Sequence, residues 1–300
     1  MGLDLTLPTS DTEFDEMMKR VDDHLRDQGA SPPQRPLRAF LTVSSALGLG
    51  LKFTGTEATP RPGVFIGTDM TARIFAWYDS HYGSRLEMRF GPGRVVLTVR
   101  QELWFVSFPM IMGEVRLVAD PNRTPVRSQA TIGKTEAPVH NVLDDIQDLP
   151  DDVRRSLSEP ELREFLQVYV EMMYHLVALQ RVIKVGMCEE VASDIDAAAA
   201  HLLGEKPHCG SSKWSSLQAV EKILKTYTEA QGVSFSKSHV LTDLAAEATA
   251  AGMLPLQAAL VSSVQCSASV RYGEELVSMC DAHLAHQASV RIVGAVAQQL

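Results

Sequence analysis

The stretch Gln218-Ala219-Val220-Glu221-Lys222-Ile223-Leu224-Lys225 repeats apolar side chains at three- and four-residue steps. Extended by one turn each way, it places Leu217, Val220, Leu224 and Tyr227 on one face of a helix. Upstream, Val191, Ile195, Ala198 and Leu202 share a second such face, and downstream Leu276, Cys280, Leu284, Ala288, Ile292 and Val296 form an unbroken row of four-residue steps. Apolar stripes of this kind need partners, so the pattern predicts a C-terminal antiparallel bundle of about five helices joined by short loops. Leu284 and Ile292 are expected to be buried in the bundle or in a dimer contact.

Moving toward the N-terminus, Ser158-Glu159-Pro160-Glu161 has the form of a helix start. The helix it opens runs through Phe165, Leu166, Tyr169 and Met173 to about Val185, with Gly186 as the break. Before it, Val142, Leu143 and Ile146 suggest a short helix ended by Pro150, and Pro121 to Pro138 is a polar stretch without apolar period, read as a long loop or linker. A chain of 300 residues has room for two cores. The boundary is expected near Val139, giving an α+β module over 1–138 and a helical domain over 139–300.

In the first module, Ser10 and Glu13 have capping-box spacing, and Phe14, Met17, Val21 and Leu25 follow at helical steps until Gly29. Leu37 to Leu51 reads as a second helix that ends near Gly48 and Gly50; neither the spacing of a nucleotide loop nor a preceding strand is present. From Thr71 to Ala119 the period changes to two. Leu86, Met88 and Phe90 alternate with Arg85, Glu87 and Arg89, and Arg73–Tyr78, Arg94–Arg100, Leu103–Phe108 and Glu114–Ala119 read as four further strands of an antiparallel meander. The fold class is thus α+β: N-terminal helices, a five-stranded meander, then an all-α bundle. One face of the meander would carry Arg85, Arg89, Arg94, Arg100 and Arg116. Such a row serves either as a solvated face with cross-strand ion pairs or as a contact for an anion or RNA.

A formal charge of −9 excludes a surface that embraces nucleic acid throughout. Cys188, Cys209, Cys266 and Cys280 form no C-x-x-C pair, so they signal neither a zinc ribbon nor a disulfide framework. The longest apolar stretch, Leu37 to Phe53, is interrupted by Ser44, Ser45, Gly48 and Gly50 and is shorter than a membrane span. No signal peptide opens the chain, and Met1-Gly2-Leu3-Asp4-Leu5-Thr6 fits the myristoylation pattern only as any short motif does by chance. The expectation is a cytoplasmic protein without membrane contact, cofactor or metal.

The run from Gln218 to Lys225, Ser238-His239-Val240-Leu241-Thr242-Asp243-Leu244, and Arg271-Tyr272-Gly273-Glu274 together resemble the HEPN domain family, over roughly Cys188 to Leu300. Members are small helical bundles of prokaryotic toxin, antitoxin and phage-defence systems. The resemblance implies that Glu221, Lys225, His239, Asp243, Arg271 and Tyr272 converge in one polar cluster, either a network fixing helix register or a ligand or RNA site. It also implies dimerisation through helices, or a protein partner.

HEPN ribonucleases carry Arg and His with four to six residues between them, so that imidazole moves a proton while guanidinium steadies the phosphate. This chain departs from that pattern. Eleven residues separate Arg271 from His283, and His286 is farther still; Arg20 to His24 is too short and Arg73 to His81 too long. No confident catalytic residue follows, and the expectation is a non-catalytic binding protein; the alternatives are a rearranged ribonuclease site on Arg271, Tyr272 and His283 or His286, and a purely structural oligomerisation module. His208-Cys209 lacks the further ligands a zinc site needs. No nucleophile elbow, H-E-x-x-H helix or P-loop is present.

Overall fold

The computed structural model describes residues 3–51, 60–86, 91–111, 113–123 and 138–300, with the side chains of Ser84 and Arg85 excepted. The chain divides into two compact units, Met1–Arg89 and Phe90–Leu300. The division falls before Val139, and the strands that follow Phe90 pack with the helices of the second unit.

In the first unit, α1 (Asp11–Asp27) starts where Ser10 Oγ accepts from Glu13 N, and it buries Phe14, Met17, Met18, Val21 and Leu25. Helix α2 (Arg35–Ala46) follows a 3-10 turn at Pro32–Gln34. Helix α3 (Gly67–Tyr82) completes the unit and replaces the expected strand at Arg73–Tyr78. Ile74, Phe75, Trp77 and Tyr78 favour strands intrinsically, yet the buried positions Met70, Ile74, Trp77 and Tyr78 are three and four apart, and packing decides. Leu86 ends the 3-10 turn Gly83–Leu86, and the rest of the expected Leu86–Phe90 strand lies outside the described residues.

The second unit begins with β1 (Gly93–Val99) and β2 (Glu102–Phe108), an antiparallel hairpin. Its two-residue turn places Arg100 and Gln101 at φ 51° and 66°, the doubly left-handed form that suits strand twist. Neither residue favours that conformation. Arg100 compensates by docking on the start of the helical domain: its guanidinium donates to Ser156 Oγ at 2.8 Å and meets Glu161 Oε1 at 3.3 Å. Next come β3 (Arg116–Val118) and β4 (Val139–Asn141), which pair with each other in parallel, so the five-stranded meander gives way to one hairpin and one short parallel pair.

A 3-10 turn at Val142–Asp145 leads through α4 (Asp151–Arg155) to the long α5 (Glu159–Arg181), opened by a reciprocal capping box between Ser158 and Glu161. Gly186, at φ 47°, breaks the chain before α6 (Cys188–Leu203); a Cβ there would sit 2.6 Å from Thr226. Then follow α7 (Cys209–Ala230), α8 (Leu241–Ala250), α9 (Ala258–Val264), a 3-10 turn at Ala268–Tyr272, and α10 (Met279–Ala297). The architecture is α+β with a C-terminal helical bundle. Helix α7 is its centre: it packs on α6, α8 and α10, and Leu217, Ala219, Val220, Ile223 and Leu224 are fully buried.

The hairpin is sandwiched. Val95, Leu97 and Val99 join the main core with Phe165, Tyr169 and Met172 of α5, while Val96 on the other face joins Ala199 and Leu202 of α6 and Ala282 of α10. Its edges are covered as well, which removes the hazard of open strands. Gln147 N donates to Phe105 O along β2, and α10 covers β1 through two histidines described below.

The apolar row on α10 does not stay inward. Residues four apart are rotated about 40° from each other on a 3.6-residue helix, so a row of six spirals around the axis. Ala288, Ile292 and Val296 are buried, whereas Leu284 is 51% exposed and Leu276, ahead of the helix, 96%. At the buried end α10 crosses α5 closely: a Cβ on Gly294 would lie 2.5 Å from His175 Cα.

Candidate functional site

Because α7 is enclosed by neighbours, its polar residues are covered too. Trp214, Gln218, Glu221 and Lys225 succeed one another along one stripe, and the segment 231–240 lies over it as a strap. Glu221 and Lys225 are only 6% and 9% exposed. Lys225 Nζ donates to Glu221 Oε1 at 2.7 Å, and Gln218 Nε2 lies 3.3 Å from Oε2. From the strap, His239 Nδ1 reaches Glu221 Oε2 at 2.8 Å, the Phe235 ring stands 5.7 Å from the Lys225 ammonium, and the His239 ring is 6.5 Å from that of Trp214.

The strap is fastened at both ends. Val233 N bonds to Thr228 O after the left-handed Gly232, and Ser236 N donates to Glu247 at 3.0 Å, a bond that holds the Glu247 carboxyl below its usual range. Past the strap, Leu241 N donates to Gln265 Oε1 at 2.7 Å. Glu221 therefore meets an ammonium, an imidazole and an amide. The His239 side chain is 66% exposed.

Three of the six expected cluster residues thus meet, and three do not. Asp243 is exposed in the first turn of α8, apart from the Glu221 cluster. Arg271 and Tyr272 are exposed in the turn Ala268–Tyr272, with the guanidinium 5.9 Å from the Tyr272 ring. That turn rests on the first turn of α7, where a Cβ on Gly210 would stand 2.0 Å from Val270 O. Gly210 and Glu221 are eleven residues apart, or about 16 Å along a helix.

His283 and His286 are turned to the hairpin, and neither bonds Arg271 among the described residues. Both face β1, where Val96 N donates to His286 Nε2 at 3.1 Å and His283 Nε2 donates to Val96 O at 3.0 Å. The two rings stand in for a third strand. His286 is fully buried, with Nδ1 unpartnered among the described residues, and burial pushes it down to about 3. Burial also lowers His283, partly offset by its bond to Val96.

Two of the five arginines of the expected face are committed to ion pairs. Arg94 pairs with Asp196 of α6 and lies 4.8 Å from the Phe105 ring, and Arg100 is bound to Ser156 and Glu161. Arg116 is exposed, while Arg89 and the Arg85 side chain lie outside the described residues. Of the two uses expected for this row, a solvated face with ion pairs or a contact for an anion or RNA, Arg94 serves neither as a cross-strand pair nor as a free cation: it pairs with Asp196 of α6.

One polar group escaped sequence reasoning altogether. His140 on β4 bonds Asp145 through Nε2 at 2.7 Å, and the fully buried Tyr169 of α5 donates to the same oxygen at 2.6 Å. Asp145 holds the imidazole above its ordinary range against the opposing effect of burial. His140 and Asp145 are five residues apart, at β4 and the 3-10 turn that follows it, and Tyr169 joins them from α5, 24 residues beyond Asp145, so no helical or strand spacing links the three. Among the described residues, no three His, Cys, Asp or Glu side chains are grouped as metal ligands, and no helix is long and apolar enough to cross a membrane. The sequence matches no known family model, no curated protein and no solved structure.

Proposed function

We propose that this chain is a non-catalytic, HEPN-like binding protein, acting through a protein partner in a bacterial defence or toxin–antitoxin setting, with a second copy of itself as the simplest partner. The observation that carries this reading is the state of His283 and His286, the two histidines that follow Arg271 in the sequence. His283 and His286 are buried and bonded to the backbone of Val96, so neither imidazole is presented to a phosphodiester beside Arg271. A rearranged ribonuclease would need at least one of them at the surface.

The choice of protein over RNA is supported by charge and by exposure. The chain is acidic, and Arg94 and Arg100 are engaged with carboxylates. Large apolar side chains stand in solvent around the turn into α10: Tyr272 is 71% exposed, beside Leu276 and Leu284. Residues of this kind serve as anchors when a partner covers them.

Sedimentation velocity tests the assembly. The chain should sediment as a dimer at about 10 µM, a concentration typical of modest interfaces. The double variant Leu276→Asp, Leu284→Asp should be a folded monomer. A wild-type monomer at about 100 µM, or a variant that remains dimeric, removes self-association through this face.

A further inference from the structure

The chain from Arg116 to Arg123 rests on β4 and the turn that follows it. Its ladder is short: β3 and β4 share the pairs Arg116–Val139, Leu117–His140 and Val118–Asn141, and Arg116 N donates to Pro138 O at 2.9 Å. A parallel pair of this length is marginal by itself. Side chains extend it. The buried Asn141 accepts from Asp120 N at 3.1 Å and donates to Asp120 O at 2.8 Å, while Arg154 of α4 donates to Arg123 O at 3.0 Å and to Asp144 at 2.6 Å. Leu117 and Ala119 add apolar contact with the main core. The remaining fastener is the bond from His140 to Asp145, and of these contacts it is the one whose charge changes near neutral pH. We propose that the β3–β4 pair is a pH-sensitive clasp, drawn onto the core by protonated His140 and loosened when that ring loses its charge.

The anchoring side of the clasp is fixed. Val142 and Leu143 of the turn are buried in the main core, and the fully buried Tyr169 donates at 2.6 Å to the same Asp145 oxygen that His140 Nε2 meets at 2.7 Å. An ionised carboxylate only accepts, so Nε2 keeps its proton in either charge state and the proton lost is the one on Nδ1. The neutral ring therefore keeps its hydrogen bond but loses its attraction to the charges of Asp145 and Asp144. That attraction is weakly screened, since the Asp145 side chain is 10% exposed and the imidazole 28%.

The other groups around the turn hold their state through the neutral range. Burial pushes the Tyr169 phenol upward, and the guanidinium of Arg154, paired with Asp144, stays charged; Arg116, across the ladder, is exposed. Asp145 holds the His140 imidazole above its ordinary range, against burial. The clasp is accordingly tight below about pH 6.5 and loosens as pH rises through the raised value.

Amide hydrogen exchange of the ¹⁵N-labelled chain tests this, in steps from about pH 6 to about pH 9, with each rate expressed as protection relative to an unstructured peptide at the same pH. Protection of the Arg116 and Asp120 amides should fall about fivefold or more over that range, while the Leu224 amide in the centre of α7, which reports global opening, stays constant. The midpoint of the fall should coincide with the titration of the His140 ring in the same samples. His140→Gln and Asp145→Asn should each reduce the fall to less than about twofold, and Tyr169→Phe, which removes only an uncharged donor from the carboxylate, should retain it. Constant protection in the wild type, a midpoint away from the His140 titration, or an undiminished fall in either of the first two variants would each overturn the proposal.

Discussion

Replacing His286 by Gln should flatten the dependence of stability on pH. In the folded chain burial pushes His286 down to about 3, whereas an unfolded imidazole titrates near 6.5. As pH falls below about 6.5 the unfolded state takes up the proton first, so the contribution is complete above that pH and is lost progressively toward pH 3. The loss is about 2 kcal/mol at pH 5 and about 3 kcal/mol at pH 4 from this residue alone. Gln can still accept from Val96 N through its side-chain carbonyl but does not titrate. The other histidines lowered by burial, His175, His201 and His283, act in the same direction in both proteins and cancel in the difference. The assay is urea unfolding at pH 7, 6, 5 and 4, with the free-energy difference between the two proteins plotted against pH. That difference should change by roughly 1.4 kcal/mol per pH unit below pH 6. Parallel profiles for the two proteins would refute the assignment of His286 as a buried neutral ring bonded to Val96.

Three further outcomes follow from particular contacts. Lys225→Met, which strands the buried Glu221 carboxylate, should cost about 3 kcal/mol in chemical unfolding, while the double variant Glu221→Gln, Lys225→Met should recover most of it; equal losses in both would show that the pair contributes nothing through its charge. Gly294→Ala should destabilise by about 1–3 kcal/mol, because the added carbon meets the backbone of His175 rather than a flexible side-chain end; an unchanged melting temperature would mean that α5 and α10 are not so close. At the His140–Asp145 pair the sign is opposite to that of His286: the folded pKa is raised, so its contribution is complete below about 6.5 and disappears as pH rises through the raised value. Nuclear magnetic resonance titration of His140 in wild type and Asp145→Asn should show the value dropping in the variant, and no drop would sever the link.

What the sequence made legible was local and periodic. The stripe through Leu217, Val220 and Leu224 announced the central helix, Ser10 with Glu13 announced α1, and both hairpin strands were found where apolar alternation met a two-residue turn. Glu221 with Lys225 was readable for the same reason, being four residues apart on one helix. Where propensity and packing disagree, the pattern misled: Ile74, Trp77 and Tyr78 look like strand but are set at helical spacing. Contacts between distant segments left no trace in the spacing. Val96 and its two histidines are separated by 187 and 190 residues, and the parallel β3–β4 pair sets Arg116 beside Val139. Arg271 and Tyr272 stand near Glu221 in the HEPN resemblance, but the seat of their turn on Gly210 keeps them at the far end of α7.

The claim that this bundle binds without cutting is tested most directly by incubating the purified chain with end-labelled single-stranded RNA, with and without chelator, and following fragment length. Intact RNA throughout, from a protein whose His283 and His286 remain protected from modification by diethyl pyrocarbonate, is the predicted result. Metal-independent cleavage that disappears in Arg271→Ala, His283→Ala while circular dichroism is unchanged would contradict it.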